Sequence, residues 1–129
     1  MDRFVDPTRQ LVTEIFVRDI GRAVAFYRAL GFALVRDDGD SVEVAWEGHL
    51  LFLGRRAGLG PPAAPLANVR VMVRDVDAAW ALAGRLGAPV VAPIADRPYG
   101  LRDFTVADPD GDGVRFASPR PGARGAVGW

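Results

Sequence analysis

Four charged side chains stand where chemistry is feasible, each inside an apolar or β-branched segment. They are Glu14 in Val-Thr-Glu-Ile-Phe, Arg70 in Asn-Val-Arg-Val-Met, Asp103 in Leu-Arg-Asp-Phe-Thr and Arg115 in Gly-Val-Arg-Phe-Ala. A carboxylate enclosed by apolar neighbours is a candidate general base. An arginine fork can receive an anionic or carbonyl-bearing group through two parallel hydrogen bonds. The same four charges can equally neutralise one another on one surface, because a buried unpaired charge is strongly destabilising. The residues alone leave both readings open.

Other residue types narrow the chemistry. The chain has no cysteine, which excludes disulfides, thiolate metal sites and cysteine nucleophiles together. His49 is the single histidine and follows the turn dipeptide Glu47-Gly48, so it is expected in solvent. Asp108 to Gly113 reads Asp-Pro-Asp-Gly-Asp-Gly and superficially opens a calcium-binding loop. The twelfth position is Pro119 rather than a closing glutamate, so the segment is expected to be a tight turn between strands. Trp46, Trp80 and Tyr99 are candidate aromatic walls for a flat ligand, with Trp80 expected in a core stripe and Tyr99 in a Pro and Gly loop over a cleft.

The elements that position these residues come in duplicate. Val17-Arg18-Asp19-Ile20 recurs as Val73-Arg74-Asp75-Val76, 56 residues on, and at the same offset Ala23, Ala25, Leu30 and Gly31 meet Ala79, Ala81, Leu86 and Gly87. In the first copy Leu11 to Val17 reads as a strand, Asp19 as a helix cap and Gly31 as the helix stop. Ile20, Ala23, Val24, Tyr27 and Leu30 form its apolar stripe. The second copy has strand Val69 to Val73, cap Asp75, stripe Val76, Ala79, Trp80, Ala83 and Leu86, and stop Gly87.

Strand-like segments follow each helix, at Ala33 to Arg36, Ser41 to Trp46 and Leu50 to Gly54, then at Val90 to Pro93, Arg102 to Ala107 and Val114 to Ser118. The order is βαβββ twice, an α+β chain of one domain. Module one covers about 10–57, a Pro- and Gly-rich linker about 58–66, module two about 67–118, and residues 119–129 form a loose tail whose Trp129 can dock on a partner subunit.

The duplicated module, Val-Arg-Asp before a helix carrying Ala-Phe-Tyr at 25–27 and Leu-Gly-Phe at 30–32, and the late Asp108-Pro109-Asp110-Gly111 before Val114-Arg115-Phe116 resemble the vicinal oxygen chelate superfamily. That superfamily includes glyoxalase I, extradiol dioxygenases, fosfomycin-modifying enzymes and bleomycin resistance proteins. The resemblance runs from Leu11 to Ser118. It implies that the two sheets curl into a half-barrel with the helices outside. In metal-using members it also implies four His or Glu ligands, at positions matching Val12, Asn68, Arg115 and a residue near Leu51 or Phe52. None of these is a competent ligand set: valine, leucine and phenylalanine offer no lone pair, arginine is a cation, and asparagine alone binds divalent ions weakly.

Among metal-free members the chain looks most like bleomycin resistance proteins, through Arg97-Pro98-Tyr99-Gly100-Leu101-Arg102-Asp103-Phe104. That likeness implies a homodimer sequestering a drug in clefts at the subunit interface. Members that hold cationic glycopeptides are markedly acidic, whereas this chain has 16 basic and 16 acidic residues, which points away from bleomycin as the ligand. The balance also points away from nucleic acid and anionic membranes. The first ten residues lack a long apolar run, so neither a signal peptide nor an anchor is expected and the cytoplasm is the expected location.

Strand alternation completes the expectation. If Ile15 and Val17 face the helix, Val12, Glu14 and Phe16 face the cavity, as do Asn68, Arg70 and Met72, then Asp103 and Thr105, then Arg115 and Ala117. The expected function is a metal-independent, cofactor-free binder of an antibiotic-like small molecule. Its expected ligand contacts are Glu14, Phe16, Phe52, Asn68, Arg70, Met72, Tyr99, Asp103 and Arg115. The alternatives are a divergent lyase or isomerase using Glu14 or Asp103 as base, and an interaction module with a vestigial cavity.

Overall fold

The caps written into the sequence set the helices. In the computed structural model, which describes residues 4–58, 60, 62 and 65–121, the Asp19 side chain accepts a hydrogen bond from the Arg22 amide at 3.1 Å and the Asp75 side chain accepts one from Ala78 at 3.0 Å. Each satisfies a donor that the first helical turn leaves without a backbone partner.

The elements of the first unit are α1 (Pro7–Gln10), β1 (Thr13–Val17), α2 (Ile20–Leu30), β2 (Ala33–Asp37), β3 (Ser41–Trp46) and β4 (His49–Arg55). Those of the second are β5 (Asn68–Met72), α3 (Val76–Arg85), β6 (Val90–Asp96), β7 (Leu101–Ala107) and β8 (Gly113–Pro119). The chain divides into these two compact units between residues 61 and 62.

The units repeat one topology. The first sheet has the order β1-β4-β3-β2 and the second β5-β8-β7-β6. In each, the first strand pairs in parallel with the last and the remaining pairs are antiparallel. The α+β architecture of two βαβββ modules is thus present. Among the described residues no helix is long and apolar enough to cross a membrane.

Alternation sorts the first sheet cleanly. Ile15, Val17, Val42, Val44, Leu51 and Leu53 are buried together with Ala23, Tyr27 and Leu30 of α2. Tyr27, Phe32 and Trp46 extend this core in edge-to-face contacts, with centroids 5.3 and 5.2 Å apart. Each large side chain buried this way stabilises the fold by about 1.5–3 kcal/mol. In the second unit Val71, Val106 and Val114 are buried with Val76 and Ala83 of α3, while Phe104 stacks on Phe116 and takes the edge of Trp80. Ser118 locks helix to sheet: its hydroxyl donates to the Val73 carbonyl at 2.6 Å and accepts from the Val76 amide at 3.1 Å.

Several boundaries differ from expectation. The first strand begins at Thr13 rather than Leu11, because Asp6 and Pro7 start the short helix α1 and Leu11 leaves it 91% exposed. Leu86 is the C-cap of α3 and 46% exposed, not part of its buried stripe. Trp46 lies half-buried on the helix side of its sheet against Phe32, away from the face expected to carry the ligand. Pro119 belongs to β8, and the Arg120 amide donates to the Gly100 carbonyl at 2.9 Å, so the tail is tied further along than Ser118. Trp129 lies outside the described residues.

Candidate functional site

The face of the first sheet turned away from α2 carries an acid–aromatic row. Register places Glu14 beside Phe52 and Phe52 beside Glu43, with Phe16 beside Gly54. The Glu14 carboxylate rests against Gly54, where an added Cβ would stand 2.9 Å from Oε2. The Arg56 guanidinium stacks 3.8 Å from the Phe16 ring centroid. Glu43 was not among the expected contacts. Its side chain is only 16% exposed, with Arg36 Nε 3.9 Å away. The alternation that buries Val42 and Val44 predicts its direction, and register makes it the counterpart of Thr105, since Glu43 pairs with Phe52 as Thr105 pairs with Arg115.

The corresponding face of the second sheet is basic. Arg70 pairs with Arg115 and Arg115 with Thr105, while Met72 pairs with Ala117 and Ala117 with Asp103; Asn68 pairs with Gly113 and its side chain fills the space a Cβ there would take. Asp103 is 2% exposed and fully engaged: Arg97 Nε donates to one oxygen at 2.8 Å and Tyr99 Oη to the other at 2.6 Å. Arg97 is held in turn by donating to the Pro93 carbonyl at 2.7 Å. Asp103 is thus paired with Arg97, which lies in the quoted Arg-Pro-Tyr-Gly stretch, and not with Arg70 or Arg115, the two arginines expected beside it. Arg97 and Tyr99 approach Asp103 through the tight turn at Gly100, a loop geometry that alternation does not describe.

Burial and the hydrogen bond to Asp103 push the Tyr99 phenol above its ordinary pKa, against the opposing positive charges of Arg115 and Arg97. Arg115 has a different standing. Its Nε is buried with no hydrogen-bond partner among the described residues. A buried charged donor left without an acceptor costs on the order of 1–3 kcal/mol or more.

Register also settles which residue of the first module matches Arg115. Glu14 and Arg70 are equivalent at the repeat offset; Arg70 pairs with Arg115 and Glu14 with Phe52, so Phe52 rather than Leu51 is the counterpart. Phe52 thus joins Val12, Asn68 and Arg115 as the positions to which the family resemblance assigns ligands, and the side chains at these positions do not suit a divalent cation. No group of three or more His, Cys, Asp or Glu among the described residues is placed to hold a metal.

The remaining positions are bland. His49 opens β4, exposed, after a turn in which Glu47 and Gly48 both have positive φ, 48° and 87°. The Asp108 side chain accepts from the amides of Asp110 and Asp112 at 2.8 and 2.9 Å, a tight turn between β7 and β8. Burial and the neighbouring charges of Asp108 and Asp110 push the Asp112 pKa up to about 6.

Comparison with known proteins adds the following. The family model of the Glyoxalase/Bleomycin resistance protein/Dioxygenase superfamily matches residues 9–116. No curated protein matches the chain. Among solved structures, it is similar to a bleomycin-binding protein complexed with bleomycin, at 21% identity and a TM-score of 0.72 over 86% of this chain and 98% of that one. It is also similar to TioX from Micromonospora sp. ML1, at 26% identity and a TM-score of 0.70 over 85% and 98%. A glyoxalase/bleomycin resistance protein/dioxygenase from Alicyclobacillus acidocaldarius matches at 22% identity and a TM-score of 0.71 over 88% and 93%.

Proposed function

We propose that this chain, which belongs to the glyoxalase/bleomycin resistance protein/dioxygenase superfamily, is a cytoplasmic, metal-independent protein that sequesters an antibiotic-like small molecule in the clefts of a homodimer. The observation that carries this reading is the side-chain chemistry at the four cation positions. Val12, Phe52, Asn68 and Arg115 cannot stabilise developing negative charge through a bound metal, which is the step the metal-using members share. Each sheet instead offers, on its own face, apolar and charged contacts of the kind that orient a ligand. Likeness to a bleomycin-binding protein supports the class of function. The balanced charge of the chain argues for a ligand less cationic than bleomycin.

A second reading, metal-independent lyase or isomerase chemistry, rests on Glu14, whose carboxylate is accessible beside Phe16 and Phe52. Asp103 serves that reading poorly, since both its oxygens already accept hydrogen bonds. The test is native mass spectrometry with metal analysis, followed by thermal shift against a panel of aromatic and peptide natural products. Saturation at a hundred times Kd should raise stability by about 2.7 kcal/mol, roughly 10 °C in Tm. A stoichiometric tightly held metal, or a panel with no shift, overturns the binder. Turnover of a bound compound that Glu14→Gln abolishes without weakening binding establishes the enzyme instead.

A further inference from the structure

The second sheet holds one feature that neither its fold nor its packing requires. Arg115 occupies a strand position whose counterpart in the first module is Phe52, so the architecture tolerates an uncharged side chain there. Its Nε is nevertheless buried and without an acceptor. The acid on its own face is committed elsewhere, because Asp103 is held by Arg97 and Tyr99. A second guanidinium, Arg70, stands at the paired position on β5. An anion at this point supplies the acceptor that Arg115 Nε lacks.

We propose that this face binds the carboxylate of an apolar organic acid, with Arg115 Nε as the principal donor. The proposal rests on the small-molecule-binding reading and names the ligand class for it. A planar carboxylate matches the side-on fork of a guanidinium, with two parallel hydrogen bonds. A single negative charge is favoured over a phosphate dianion because buried Asp103 lies on the same face and one buried donor is offered. The ligand's body is apolar because Met72 and Ala117 form the next pair along the strands.

The test uses the full chain with 2-naphthoate and its neutral analogue 2-naphthamide, titrated calorimetrically into the wild type, Arg115→Met and Arg115→Lys. Arg115→Met removes the charge at similar volume, and Arg115→Lys keeps the charge but loses the fork should the first variant fail to fold. The wild type is expected to bind the acid at least about tenfold tighter than the amide, and each variant to lose that preference. In nitrogen-15 spectra the Nε–H resonance absent from the variants should move on adding acid and stay in place on adding amide. Equal affinity for acid and amide overturns the carboxylate inference while leaving the binder intact, as does a preference that survives both variants. If neither compound binds, the inference is likewise overturned, and the natural-product panel decides the binder reading separately.

Discussion

Arg97 shows how much a single loop arginine can matter to a buried acid. It donates to Asp103 while itself 26% exposed, and Asp103 has no other cationic partner in hydrogen-bond contact among the described residues. Removing it leaves a 2% exposed carboxylate with only the Tyr99 hydroxyl. Arg97→Met is therefore expected to destabilise the protein by about 2–3 kcal/mol, toward the low end for breaking a buried pair because one partner is partly solvated. Denaturant titration of the variant against Tyr99→Phe, which loses one hydrogen bond to the same carboxylate worth about 1.5 kcal/mol, separates the two contributions. Asp112 makes the opposite kind of prediction. Its folded pKa of about 6 lies above the ordinary 3.8, so the folded chain holds that proton more tightly than the unfolded chain. The associated stability is fully present below pH 3.8 and is lost as pH rises through about 6. Allowing for solvent screening at this half-buried site, the loss amounts to about 1 kcal/mol. Asp112→Asn should melt above the wild type at pH 7.5 and coincide with it at pH 3.5; a lower Tm at pH 7.5 would show that the charge is satisfied in a way burial does not suggest.

At the scale of elements, the helix ends were the most legible part of the sequence because capping is local chemistry. Asp19, Gly31 and Asp75 act through residues no more than a few positions away, and the structure uses each as the sequence predicts. The alternation of Ile15, Val17, Val42, Val44, Leu51 and Leu53 was equally plain, since one buried face per strand fixes parity. The direction of Glu43 follows from the same parity, but the pairing of Arg97 with Asp103 was not legible, because it depends on the geometry of the turn at Gly100 rather than on alternation. Gly31 tests the local part. It ends α2 at φ 122°, and a Cβ there would stand 2.9 Å from the Trp46 ring. Gly39 has φ 89° with nothing within 4 Å of such a Cβ. Gly39→Ala is expected to cost about 1 kcal/mol from backbone strain alone. Gly31→Ala adds displacement of Trp46 from Phe32 and should cost about 2–3 kcal/mol. Equal losses in equilibrium unfolding would mean that Trp46 yields freely.

For the whole molecule, the proposed homodimer cleft has a thermodynamic signature independent of ligand identity. A cleft built from two copies exists only while the copies are joined, so anything that binds it favours the dimer, and the dimer favours anything that binds it. Dimerisation also stabilises the folded chain by mass action, which makes Tm depend on protein concentration. The thermal midpoint should therefore climb as the protein is concentrated from the nanomolar to the high micromolar range, with sedimentation velocity showing the monomer at the dilute end. Ligand affinity should weaken over the same dilution range in which the dimer dissociates. A Tm independent of concentration, together with ligand affinity unchanged in a demonstrably monomeric sample, would place the whole binding surface within one chain. The acid–aromatic and basic rows would then have to serve the ligand without a second subunit, and the homodimer cleft would be the part of the proposal to abandon.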